Sequence, residues 1–313
     1  MEQFLICHRG ALGDFILTWP ALYALRESFP DLQFIGLGRP EYLRLAIRLG
    51  LIDTCCDGES SELIEFFSGH SLPPALSSPK GAVLWLAQGQ AVSELLKKSA
   101  SLPVALIPPF PQKRLHVATY HYLAVGSHFP MARSFLPLGL SPPPLPSFSL
   151  GGSMSRSEYA LIHPGSGSPA KNYSLWLYRE LARQLRQQGY PEIRFLLGPA
   201  EDEKLEQHLS GELIERPPDV EALARLQAKA ALYIGNDSGA SHLAAILGTP
   251  TIALYKTTDP DIWGVIGHRA VNLQAQSEEQ ALLAIRDILN AETNHSLRLR
   301  YSNENLINID IRR

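Results

Sequence analysis

Cysteine is scarce in this chain and follows no pattern. Its 313 residues include three, Cys7, Cys55 and Cys56. The odd count and the adjacent pair exclude a disulfide framework, and the spacing is not that of zinc ligands. Buried free thiols in a reducing cytoplasm are the expectation. Long apolar runs are missing too: no uncharged stretch approaches the roughly 20 residues that span a bilayer. The opening MEQFLICHRG holds too few apolar residues before His8 and Arg9 for a secretory signal. An excess of positive charge is also absent. Lys and Arg number 28 against 31 Asp and Glu, a net charge of -3, so nucleic acid is not an expected partner.

What the chain does contain is apolar residues, 45% against 19% charged, which suffices for sizeable cores and excludes global disorder. The stretch FLPLGLSPPPLPSFSLGGSMSRSE, residues 135–158, has three consecutive prolines and a Gly-Gly-Ser run. Neither continues a helix or a central strand. It divides the sequence into a first domain over 1–134, a linker over 135–157 and a second domain over 158–313; the alternative is a surface loop within one domain. Each half alternates short apolar runs with helical periodicity. QFLIC, LQFIGLG and AVLWLA read as strands in the first half; YALIH, IRFLL, LYIG and TIALY do so in the second. A helix is expected from about Phe15 to Ser28, with Pro20 imposing a kink or a late start. Leu177, Leu181 and Leu185 recur at helical spacing, as do Leu223 and Leu226. This alternation predicts an α/β fold with parallel sheets covered on both faces, and two such domains leave a cleft between them.

The second half carries the chemistry. In ALYIGNDSGASHLAAILGTPTIALY, residues 231–255, LYIG ends at the carboxyl edge of a sheet, where ligands of open α/β folds bind. Asp237 and Ser238 are helix-capping types, Gly239 permits close approach, and Gly248-Thr249-Pro250 stops the helix. The N–H groups of residues 238–241 then form an anion site supported by the helix dipole, with His242 as a further donor. The alternative is a capped helix with a core histidine. A second strand–loop–helix unit, LIHPGSGSPAKNYSLW, offers the hydroxyls of Ser166 and Ser168 and the point charge of Lys171. It is not a Walker loop. In LLGPAEDEK, Glu201 and Asp202 follow another strand, where a carboxylate can accept from ribose hydroxyls or simply begin a helix.

Taken in order, HPGSGSPAKNYSLW, LLGPAED, YIGNDSGASHLAAILGTPTIALY and TTDP resemble the lipopolysaccharide heptosyltransferases, glycosyltransferase family 9. The resemblance covers most of the second half. It implies a GT-B fold, two Rossmann-like domains facing across a cleft, that transfers a heptose from ADP-heptose to a lipid-A–core acceptor. Inversion at the anomeric carbon, no metal and no cofactor are implied with it. So are a lipid-linked glycan acceptor, peripheral contact with the inner membrane, and a monomer. Carried over residue by residue, Ser166, Ser168 and Lys171 match the phosphate loop. Asp237, Ser238, Gly239 and His242 match the pyrophosphate and sugar block, and Glu201 or Asp202 the ribose-binding acid. The family's GPTDP reads KTTDP from Lys256 to Pro260, which alters that turn but keeps Thr258 and Asp259.

In the first half, HRGALGDFILTWPAL also resembles the family, and Asp14 corresponds to its proposed catalytic base. The chemistry is sound unaided: an acceptor hydroxyl loses its proton as it attacks, and a carboxylate at a helix start can take it. The alternative is that Asp14 only caps its helix. The base then lies on one domain and the leaving-group clamp on the other, so closure of the cleft gates transfer. VLWLAQGQ keeps Gln88-Gly89 of the family's polar D-x-Q-G but has Leu86 and Ala87 before them, and 57–113 shows no other family signature. Arg114, His116, His121 and Tyr122 fall in an expected helix, where they can touch an anionic acceptor; a solvated helix face is the expectation for most of them. Alternatives to a glycosyltransferase are a sugar-nucleotide epimerase on the same architecture and a non-catalytic nucleotide-sugar binder. A dinucleotide oxidoreductase fits less well, because GALGD is not Gly-x-Gly-x-x-Gly. ADP rather than UDP rests on the resemblance alone.

Overall fold

The computed structural model describes residues 2–77, 79–129, 159–198, 203–293 and 307–310. The chain divides into two compact units, Met1–Pro144 and Leu145–Arg313. The expected linker falls outside the described residues, as do Glu201 and Asp202.

The first unit holds strands β1 (Gln3–His8), β2 (Gln33–Gly38), β3 (Thr54–Asp57), β4 (Pro79–Trp85) and β5 (Val104–Ile107). They form one parallel sheet in the order β3-β2-β1-β4-β5. Its helices are α1 (Leu12–Ser28), α2 (Pro40–Arg48), α3 (Ile64–Phe67), α4 (Gln90–Lys97) and α5 (Val117–Gly126). Every residue of β1 is buried, as a strand covered on both faces requires. The late start expected at Pro20 does not occur: α1 begins at Leu12 and runs through the proline. That helix is apolar on nearly all sides and packs against α5, so burial offsets the hydrogen bond that proline cannot donate.

The second unit holds β6 (Tyr159–His163), β7 (Glu192–Leu196), β8 (Leu213–Glu215), β9 (Leu232–Asn236), β10 (Thr251–Tyr255), β11 (Ala270–Gln274) and β12 (Ile307–Asp310). The sheet is parallel throughout, in the order β12-β11-β10-β9-β6-β7-β8. Helices α6 (Leu175–Gln187), α7 (Glu203–His208), α8 (Val220–Lys229), α9 (Gly239–Ile246), α10 (Pro260–Trp263) and α11 (Glu278–Thr293) connect the strands. Leu177, Leu181 and Leu185 of α6 join Ala281, Ile285 and Ile288 of α11 in one core on the sheet. Tyr159, Leu161, Tyr233, Ala240 and Ala244 form a second cluster, which seats α9. Gly248, at φ 79°, ends that helix in the left-handed region. No helix among the described residues is long and apolar enough to cross a membrane.

In each sheet the chain reverses its direction of travel once. The reversal lies between β1 and β4 in the first unit and between β6 and β9 in the second. Loops leaving the carboxyl ends of these paired strands meet at such a point, where open α/β sheets bind their ligands.

Candidate functional site

In the second unit, the loop after β6 and the turn after β9 meet at the reversal point. Lys171 closes the first and Asp237 opens the second, and Lys171 Nζ donates to Asp237 Oδ2 at 2.7 Å. Thr258 Oγ1 donates to the same oxygen at 2.7 Å, and His242 Nε2 stands 3.8 Å from Oδ1. Burial opposes ionisation of Asp237. His242, Lys171 and Thr258 overcome that and hold its carboxyl well below the usual carboxylate range. Asp237 is therefore not the helix cap. It is an anionic hub joining the phosphate-type loop, α9 and the turn after β10. An ammonium has three donors, and the contact with Asp237 uses one of those on Lys171.

The cap of α9 is Ser238, whose hydroxyl accepts from Ser241 N–H. This narrows the expected set of orphan donors: Ser241 N–H is already paired, which leaves the N–H groups of Ser238, Gly239 and Ala240 with no acceptor among the described residues. His242 is buried in α9, and its Nδ1 finds no hydrogen-bond partner among the described residues.

The loop before Lys171 is held from beneath. Ser166 is buried, and its hydroxyl contacts Ser168 O at 2.8 Å and Asn172 Oδ1 at 2.6 Å. Its proton serves the loop itself, and Ser168 is the hydroxyl left toward the surface. Asn236, fully buried at the end of β9, donates to Pro164 O at 2.8 Å and to Asn172 Oδ1 at 3.2 Å. Tyr178 donates to its Oδ1. Sequence reasoning passed over Asn172 and Asn236. The signal was an asparagine ending an otherwise apolar strand, directly before Asp-Ser-Gly.

In the first unit, Asp14 lies in the first turn of α1, whose cap position is Ala11 with no side-chain cap bond. Asp14 is therefore not the capping residue. Gly10 lies between it and His8: a Cβ on Gly10 would stand 3.3 Å from both Asp14 Oδ2 and His8 Nε2. Burial pushes the His8 imidazole down to about 4, so it is uncharged at neutral pH. Burial, with the neighbouring His8 adding to it, takes His121 to about 3. The solvated helix face expected for this region is overturned. His116, His121 and Tyr122 are all buried, His116 Nδ1 caps α5 by accepting from Ala118 N–H, and only Arg114 is exposed. The reason is that α5 packs on both α1 and its own sheet, leaving little of it to water.

Two parallel-sheet α/β units, each with one reversal point, are the building blocks of a GT-B fold. The family model for glycosyltransferase family 9 (heptosyltransferase) matches residues 95–291. That span exceeds half of the chain, and the protein belongs to this family. A putative glycosyltransferase of Haemophilus influenzae is 26% identical over 96% of this chain and 97% of its own length. Lipopolysaccharide heptosyltransferase 2 of Salmonella typhimurium is 32% identical over 36% of each. Among solved structures, E. coli ADP-heptose lps heptosyltransferase II superposes with a TM-score of 0.69 at 18% identity, covering 93% of this chain and 99% of that one. The E. coli heptosyltransferase WaaC with ADP gives 0.66 at 18%, over 92% and 99%. At that identity the likeness establishes the fold. With the family match, it makes this protein a glycosyltransferase and sets aside the epimerase and oxidoreductase alternatives.

Proposed function

We propose that this glycosyltransferase moves a heptose from ADP-heptose to a lipopolysaccharide-core or related lipid-linked glycan acceptor on the cytoplasmic face of the inner membrane. In this reading the transfer inverts the anomeric carbon and proceeds without a metal ion. The observation that carries it is the convergence of Lys171, Ser168 and the α9 N-terminus on one sheet edge around the Asp237 hub. Such a set suits a diphosphate. Lys171 keeps two donors for phosphate oxygens, and Gly239 and Ala240 offer backbone N–H groups at the positive end of a helix dipole. As the anomeric C–O bond to the diphosphate breaks, negative charge grows on the leaving oxygen, and these fixed donors stabilise it. Asp14 takes the proton of the acceptor hydroxyl as the new glycosidic bond forms. Glu201 or Asp202 binds the ribose, and His242 lies on the sugar side of the diphosphate. Heptose as the sugar draws support from relatives named as lipopolysaccharide heptosyltransferases and from a WaaC structure with ADP-2-deoxy-2-fluoro heptose.

Thermal melts with ADP, UDP, GDP and NAD test the donor site. ADP at about a hundred times its dissociation constant should stabilise the fold by about 2.7 kcal/mol, and NAD should leave the melt unchanged. A shift with NAD alone would end this reading.

A further inference from the structure

One cation at the donor edge has no part in the reaction scheme. Where the family reads Gly in GPTDP, this chain has Lys256, the first residue after β10. Its neighbours fix its place. β10 lies beside β9, and Asp237 N–H donates to Leu254 O at 2.9 Å, so the turn that Lys256 begins runs alongside Asp237. Two residues on, Thr258 reaches the same Asp237 oxygen as Lys171 does. Tyr173 OH lies 3.1 Å from both Tyr255 O and Ala275 O, which fastens the end of the phosphate-type loop to the ends of β10 and β11. Lys256 Nζ stands 5.7 Å from the centre of the Tyr173 ring and donates to Asn172 O at 2.9 Å. Asn172 follows Lys171 directly, and neighbouring Cα atoms are about 3.8 Å apart. The Lys256 ammonium therefore sits one residue from the backbone of Lys171.

The two lysines differ in what balances them. The ionised carboxylate of Asp237 lies 2.7 Å from Lys171, and at the distance of a ligand two such opposite charges largely cancel. Lys256 is exposed, and among the described residues it forms no ion pair. Asp259, three residues on, accepts from Asp261 N–H as the cap of α10. An ammonium has three donors, and Asn172 O takes one. The diphosphate of a nucleotide sugar carries negative charge on each phosphate. When its bond to the anomeric carbon breaks, the electron pair stays on the phosphate oxygen and adds more. We propose that Lys256 supplies the unbalanced positive charge of the donor site and binds the nucleotide diphosphate across the phosphate-type loop from Lys171. The inference rests on the reading of this edge as a diphosphate site. The alternative is a latch, in which Lys256 only ties the turn after β10 to that loop through Asn172 O. A latch needs a donor, whereas an anion site needs a charge.

Two substitutions separate these roles. Lys256→Gln keeps an N–H donor for Asn172 O and removes the charge, and Lys256→Arg keeps the charge. In calorimetric titration at low ionic strength, Lys256→Gln should weaken ADP binding about 10-fold, the lower end for a hydrogen bond to a charged group. Lys256→Arg should keep most of the affinity. The loss in Lys256→Gln should shrink as salt is added, because the field of an exposed lysine is screened. A Lys256→Gln variant that binds ADP like wild type, a Lys256→Arg variant that loses as much as Lys256→Gln, or a loss independent of salt overturns the proposal. If wild type binds UDP or GDP in place of ADP, the adenine part of the functional reading fails, and the same comparison is made with the nucleotide that binds. Wild type that binds none of the three refutes the diphosphate reading and this inference with it, whereas binding by wild type with no loss in Lys256→Gln removes this inference alone.

Discussion

Breaking the Lys171–Asp237 pair should cost folding stability by an amount that a double-mutant cycle can isolate. Asp237 Oδ2 accepts from Lys171 Nζ and Thr258 Oγ1, both at 2.7 Å, and its side chain is 6% exposed against 32% for the lysine. A hydrogen bond to a charged group contributes about 1.5–3 kcal/mol, and the partial exposure of Lys171 places this one at the lower end. Lys171→Met, Asp237→Asn and the double variant, unfolded in urea with one transition fitted per unit, should give an interaction term of about 1–2 kcal/mol. The pH dependence has a definite sign. Burial opposes ionisation of Asp237, but His242, Lys171 and Thr258 set its folded pKa below that of the unfolded chain. Stability of that origin is fully present above the unfolded value of about 3.9 and is lost as pH falls through the folded value. The advantage of wild type over Asp237→Asn should therefore be level across neutral pH and shrink below about pH 4. An interaction term within about 0.3 kcal/mol of zero, or an advantage that grows on acidification, would refute the hub.

Asp14→Asn should lower turnover by about 10²–10⁴ while ADP affinity, read by calorimetry, stays unchanged; a fully active variant would move the base elsewhere. Transfer from ADP-heptose should survive EDTA, with Lys171 and the helix terminus supplying the charge; a loss restored by magnesium would show that assignment to be wrong. Gly38→Ala places a Cβ 2.0 Å from the His8 carbonyl oxygen on the neighbouring strand. Backbone cannot rotate away, so the urea midpoint should fall by the equivalent of about 3 kcal/mol, and a variant of full stability would disprove the close approach.

Much of the architecture is written locally. The continuous apolar runs of β1, β2, β4, β6, β7, β9 and β10 identify themselves, because strands covered on both faces need no alternation. The leucines of α6 and the Gly-Thr-Pro stop after α9 are equally plain. The strands that escape are those whose reason for existing lies elsewhere in the chain. TCCD of β3, VALI of β5 between two prolines, and LIE of β8 are short edge strands with little pattern of their own, and β12 is another edge. In β11 the apolar run is broken by buried Asn272, which Val265 satisfies from both its N–H and its carbonyl.

The site divides in the same way. Sequence alone marks Lys171, Ser238 and His242 as residues for an anion and Asp237 as a capping type, since helix starts and glycine-rich turns carry local signatures. It cannot say that Lys171 spends one donor on Asp237, 66 residues away, that Ser166 turns into its own loop, or that Asn236 stitches two loops together. Nor can periodicity show that His121 and Tyr122 are buried, because a helix covered on two sides has no polar stripe to reveal it. Those facts follow from strand order. Placing β9 beside β6 brings distant loops to one edge, and only there do charges and hydrogen bonds find the partners that fix each side chain's role.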